Sequence, residues 1–152
     1  MATGVFDIIH LGHIHFLEEA KKLGDELVVV VASDTTVRRN KHHPINPAEV
    51  RARIVEALKP VDRAVVGHED DPLRIVEELR PDIIVLGYDQ PFDERELEQK
   101  LRERGLEVRV IRLSHYDADL NGTRKLIFRI AERLAREELY GGGKIGKKNG
   151  GG

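Results

Sequence analysis

Leu27-Val28-Val29-Val30-Val31-Ala32 is an unbroken apolar run with its valines in succession. A strand with one face in water alternates apolar and polar residues. A continuous β-branched run therefore marks a strand covered on both faces, as in a parallel sheet. Asp82-Ile83-Ile84-Val85-Leu86-Gly87 is a second such run, stopped by glycine. Shorter strands are predicted at Met1 to Thr3, Ala64 to Val66 and Glu107 to Ile111. Helix signals fill the gaps. Ile14, Leu17, Ala20 and Lys21 form a stripe on a helix from Gly12 to Leu23, with Gly24 as the expected C-cap. Asn46-Pro47-Ala48-Glu49 reads as N-cap, N1 proline and N3 acid for a helix ending near Pro60. Asp71-Pro72 opens a helix to Leu79, Asp93 caps one that ends at Gly105, and a last helix runs from Gly122 to Leu139.

Strands alternating with helices at this spacing predict an α/β fold of the Rossmann-like kind. It has three layers, α/β/α, around a five-stranded parallel sheet with right-handed crossovers and the probable order 3-2-1-4-5. The last helix is expected to pack over that sheet. Met1-Ala2-Thr3 alone precede the first glycine turn, short for a central strand, which points to a start site placed too late or a chain trimmed at its start. The 152 residues suit one domain, residues 1–140, followed by a disordered glycine and lysine tail from Gly141 to Gly152. Charged residues reach 34% yet cancel to a net charge of -2, so no field is set up for nucleic acid or an anionic membrane. No apolar run is long enough to cross a bilayer, and the chain is read as cytoplasmic. The absence of cysteine excludes disulfides, cysteine zinc sites and a thiol nucleophile.

Functional signals gather at the ends of strands one and four. Thr3-Gly4-Val5-Phe6-Asp7-Ile8-Ile9-His10-Leu11-Gly12-His13 leads from strand through turn to helix. Gly4 and Gly12 let backbone approach a ligand closely, and His10 and His13, three residues apart, share one helical face. Free N–H groups and the positive end of the helix dipole make the helix start an anion site, beside which imidazoles can donate to phosphate oxygens. In the order 3-2-1-4-5, strands one and four are neighbours, so this turn and Gly87-Tyr88-Asp89-Gln90 flank one crevice.

Gly4-x-Phe6-Asp7-x-x-His10-x-Gly12-His13 resembles the signature of the HxGH nucleotidyltransferases, the cytidylyltransferase-like superfamily. The resemblance implies catalytic roles for His10, His13 and Lys41, the last from the polar, basic loop Asp34 to Asn46. It implies nucleotide contacts from Thr3, Gly4, Val5, Phe6 and Gly12, and from Gly87, Tyr88 and Asp89, a turn similar to the family's Gly-x-Asp-x hold on base and ribose. The commonest cytidylyltransferase form has tryptophan where this chain has Gln90. Thr123 and Arg124 stand where the family binds the outgoing phosphates, although hydroxyls found there in relatives are replaced by Asn121 and Gly122. Helix capping is an alternative for Asn121 and Thr123, turn capping for Asp89, and an exposed basic loop for Lys41. Asp7 and Arg51 are read as phosphate or structural contacts. No side-chain metal site is expected, and His115-Tyr116-Asp117-Ala118-Asp119 is read as a turn.

Over the chain up to the tail, Val55 to Asp62 and Asp82 to Gln90 narrow the resemblance to the archaeal FAD synthases, which adenylate FMN with ATP. This implies ATP and FMN as substrates, Mg²⁺ or another divalent cation with ATP, no prosthetic group and a homodimer. Alternatives are a glycerol-3-phosphate cytidylyltransferase and a nucleotide-binding module without catalysis.

Overall fold

The computed structural model describes residues 1–40, 42–119 and 121–136. Its elements are β1 (Ala2–Gly4), α1 (Leu11–Lys21), β2 (Val28–Val31), α2 (Asp34–Arg39), α3 (Ala48–Glu56), β3 (Arg63–Val66), α4 (Arg74–Leu79), β4 (Ile83–Leu86), α5 (Glu94–Glu103), β5 (Arg109–Arg112) and α6 (Thr123–Ala135). The five strands form one parallel sheet in the order β3-β2-β1-β4-β5, the predicted topology.

The valine run behaves as its composition demands. Val29 and Val31, with Val85, pack on one face against Leu17 and Ala20 of α1 and Ala52 and Val55 of α3. Val30, with Ile84 and Leu86, packs on the other against Ile75 and Val76 of α4 and Leu101 of α5. Short as it is, β1 holds the centre. It pairs in register with β2 from Ala2↔Val29 to Gly4↔Val31, and on its other edge meets β4 at Ala2↔Val85. The Met1 amino group donates to Ile83 O at 2.7 Å, and Val85 N to Met1 O at 2.8 Å, extending the β4 pairing backwards.

Several boundaries differ from expectation. α1 stops at Lys21 with Lys22 still right-handed, so Gly24 is no C-cap; among the described glycines, Gly105 takes the positive φ, 78°, and closes α5. α3 begins one residue later than predicted, with Pro47 at its N-cap, because the Asn46 amide bonds to Asp7 instead. The polar loop Asp34 to Asn46 contains a helix, α2, capped by Ser33 Oγ, which accepts the Thr36 N–H at 3.1 Å. Lys41, the region beyond Arg136 and with it the predicted tail lie outside the described residues.

The last helix departs most. α6 buries none of its residues and leaves Ile127, Phe128, Ile130 and Leu134 exposed, Phe128 at 71%. The buried positions of the central strands are already filled by α1, α3, α4 and α5, which leaves α6 no sheet surface to cover.

Candidate active site

The crevice is built from the carboxyl ends of β1 and β4. After β1 the chain turns at Phe6, whose φ of 52° is rare for an aromatic residue. This folds the ring back over the strand end, where a Cβ on Gly4 would meet it at 2.8 Å. Gly4 therefore makes room for Phe6. The buried Phe6 ring floors the histidines, its centroid 5.1 Å from that of His13.

His10 and His13 stack on each other with centroids 3.7 Å apart and planes 22° from parallel. Burial lowers the pKa of His10, and burial together with the neighbouring His10 lowers that of His13 to about 3. Both imidazoles are thus neutral near pH 7, each carrying one N–H to donate and one lone pair. Among the described residues, Nδ1 of each is buried without a hydrogen-bond partner. A buried polar atom left without a partner is uncommon in a folded protein.

His10 is also the N-cap of α1, and no side chain caps that helix. The start of α6 reaches the same place. A Cβ on Gly12 would lie 2.5 Å from Asn121 O, and Thr123 Oγ1 donates to Ile8 O at 3.4 Å. α6 likewise has no side-chain cap: the Asn121 amide bonds to Tyr116 O instead, and Asn121 Oδ1 accepts from Lys125 at 2.7 Å. Neither helix has an acid in its first turn, whereas α2 and α5 carry both a capping side chain and acids. Two unopposed positive dipole ends thus meet beside the stacked histidines, an arrangement suited to a polyphosphate. Arg124 lies exposed in the first turn of α6.

The opposite wall is the Gly87 to Gln90 turn. Tyr88 is 54% exposed and Asp89 is exposed, but the turn's backbone is fastened from behind. Gln90 Oε1 accepts the Gly87 N–H at 3.2 Å, and Gln90 Nε2 donates to Thr3 O at 2.7 Å. Gln90, rather than Asp89, caps this turn. At the end of β5, Arg112 donates to Gly87 O at 2.8 Å and Gln90 O at 3.0 Å, and reaches Phe92 O. Its Nε donates to Glu94 at 2.8 Å, and that carboxylate raises the guanidinium pKa. Tyr88 meets His115 edge to face at 4.4 Å, and Tyr116 stacks on His15 at 4.3 Å.

Behind the first wall, the fully buried Arg51 donates to Asn46 O at 2.9 Å, Val5 O at 2.6 Å, Ala32 O at 2.8 Å and Asp34 Oδ1 at 2.7 Å. Asp7 accepts the N–H groups of Ile45 and Asn46 at 2.7 and 2.9 Å. Both residues thereby brace the turn that carries the histidines. Among the described residues no group of three His, Cys, Asp or Glu side chains is placed to hold a metal ion, and no helix is long and apolar enough to cross a membrane.

A model of the cytidylyltransferase-like family matches residues 1–138. The chain belongs to the cytidylyltransferase-like family. It is 63% identical over 141 residues to a FAD synthase of Aciduliprofundum boonei, covering 92% of this chain and 93% of that one. It is 57% identical over 138 residues to a FAD synthase of Thermoplasma acidophilum, covering 88% and 97%. A crystal structure of a Thermoplasma volcanium protein, described as a lipopolysaccharide core biosynthesis protein, superposes with a TM-score of 0.76 at 58% identity. It covers 77% of this chain and 96% of that one.

In this cytidylyltransferase-like chain the predicted His10, His13, Gly12 and Thr123 come together at one helix junction, with Gly87, Tyr88 and Asp89 on the facing turn. Thr3 joins the two walls through its carbonyl oxygen, and Phe6 lies beneath the histidines rather than at the surface. Arg112 escaped the sequence reading because nothing in a strand-end arginine announces which carbonyls it will reach. His15, His115 and Tyr116 escaped because their pairing depends on how residues 114–119 return to α1.

Proposed function

We propose that this protein is an FMN adenylyltransferase, making FAD and pyrophosphate from ATP and FMN. The observation that carries the reading is the meeting of two uncapped, acid-free helix starts with two neutral stacked histidines. The choice of FMN and adenine rests on the FAD synthases that match nearly the whole chain.

A phosphate oxygen of FMN attacks the α-phosphorus of ATP, a P–O bond forms there, and the bond to the β-phosphate oxygen breaks, releasing pyrophosphate. With a second pKa of about 6, the FMN phosphate is already largely ionised near neutral pH, and no strong general base is required. Catalysis is then positioning and stabilisation of developing charge. His10 and His13 donate to the α- and β-phosphates. Lys41, Thr123 and Arg124 receive the leaving pyrophosphate, and the backbone of Thr3, Gly4, Val5 and Gly12 lines the path. Gly87, Tyr88 and Asp89 hold base and ribose. A divalent cation such as Mg²⁺ fits as a passenger on the triphosphate, since the described residues form no carboxylate cage and Mg²⁺ favours phosphates and water. Bound there, it neutralises phosphate charge.

The proposal extends to a cytoplasmic homodimer, with the exposed Ile127, Ile130 and Leu134 of α6 in its interface, acting on small molecules and not on nucleic acid. Incubation with ATP, FMN and Mg²⁺ is expected to yield FAD and pyrophosphate in equal amounts. Product from CTP and glycerol 3-phosphate instead, or ATP binding without product, would overturn the reading.

A further inference from the structure

The β1–β4 ladder stops early. Ala2↔Val85 is its pairing, with Val85 N donating to Met1 O at 2.8 Å. In the same register the next bond would run from Gly87 N to Thr3 O, two residues further along each strand. Those two groups do not meet. The Gln90 side chain stands between them, its Oε1 accepting from Gly87 N at 3.2 Å and its Nε2 donating to Thr3 O at 2.7 Å. We propose that the Gln90 amide is a spacer inserted into the β1–β4 ladder, a positioning residue that fixes the width of the nucleotide crevice and the place of Tyr88 and Asp89.

A primary amide suits this role, because one of its atoms accepts from an N–H while the other donates to a C=O. Arg112 holds the same turn from the other side through Gly87 O and Gln90 O. Spacer and clamp leave the turn backbone little freedom, while Tyr88 and Asp89 stay exposed. The spacer therefore acts on nucleotide affinity through the turn and has no contact with the reacting phosphorus to make.

This inference rests on the nucleotidyl-transfer reading, and its test separates the two. Calorimetric titration with ATP alone measures affinity without chemistry, and steady-state rates with FMN measure turnover. Gln90→Glu keeps the acceptor but turns a second oxygen towards Thr3 O. It is expected to weaken ATP binding by about tenfold, the scale of one unsatisfied buried polar group, and to raise the KM for ATP equally, with kcat and the KM for FMN within about twofold of the parent. Gln90→Asn, an amide one carbon shorter, is expected to recover part of the loss. Unchanged ATP affinity in Gln90→Glu, equal losses in Glu and Asn variants, or a parallel fall in kcat and melting temperature would overturn the spacer. Failure of the parent to form FAD despite a normal pattern of ATP affinities would overturn the acceptor reading and leave the spacer standing.

Discussion

The two walls of the crevice are finished in opposite ways. On the histidine wall, among the described residues, two buried imidazole nitrogens lack partners and two helices start without side-chain caps. On the Gly87 to Gln90 wall, the backbone is bonded to Gln90 and Arg112 before any ligand arrives. A polyphosphate supplies many acceptors and needs donors that nothing else has claimed. A base and ribose need a surface already in place, because ordering a loose turn costs about 1–2 kcal/mol per residue fixed. On the proposed function the first wall is completed by its ligand, whereas the second is braced without it.

The brace behind the histidine wall tests how much of this depends on scaffold. Arg51 is fully buried and paired with Asp34. Arg51→Leu strands that carboxylate and three carbonyls, and is expected to cost about 3–5 kcal/mol of stability in urea titration. A variant of normal stability with impaired ATP binding alone would make Arg51 a phosphate ligand after all.

His13→Ala removes one donor from the unfinished wall. It is expected to lower kcat by about a hundredfold or more, about 2.7 kcal/mol of transition-state stabilisation, with circular dichroism unchanged. An unchanged rate would sever the histidines from the chemistry.

The same burial that frees His13 makes the fold acid-sensitive. Its native pKa lies near 3, below the ordinary unfolded value of about 6.5, so between those values the unfolded chain binds the extra proton. Stability is full above about pH 6.5 and declines as pH falls towards 3. The expected loss from this group is about 2 kcal/mol between pH 7 and pH 5. Urea titrations at both values should show a smaller loss for His13→Asn, and an identical loss would place the effect elsewhere.

The sequence carried the fold better than it carried the second wall. Burial on both faces can be read without naming a partner: an unbroken apolar run such as Val28 to Val31 declares two covered faces, and turn and cap residues such as Asp93 act within three positions of themselves. Asn46 had a local capping role available that a tertiary contact overrode, its amide being claimed by Asp7, whereas α1 closes at Lys22 before Gly24 is reached. Gln90 and Arg112 stood in plain view in the sequence, but their meaning lies in carbonyls 87 and 25 residues away. The histidine wall was legible because its chemistry is concentrated in ten consecutive residues. The facing wall is assembled across β1, β4 and β5.

The contrast between helix starts gives the smallest effect and the most specific one. Gly122 is the N-cap of α6 in extended conformation (φ -146°, ψ 142°), and a Cβ there would meet nothing among the described residues within 4 Å. Gly122→Asp should therefore fit without strain and cap the helix. It should stabilise α6 by a few tenths of a kcal/mol from the cap and about 0.3–1 kcal/mol from the dipole, visible as slower amide exchange in residues 124–128. The same carboxylate sets a negative charge against incoming phosphates and occupies the N–H groups they need. ATP affinity is expected to fall by about threefold to tenfold while helix protection rises, since each 1.4 kcal/mol of repulsion is worth a factor of ten. Opposite movement of these two readouts is what an anion site left uncapped for its ligand requires. If protection and affinity rise together, the start of α6 lies away from the phosphates, and the histidine wall ends at α1.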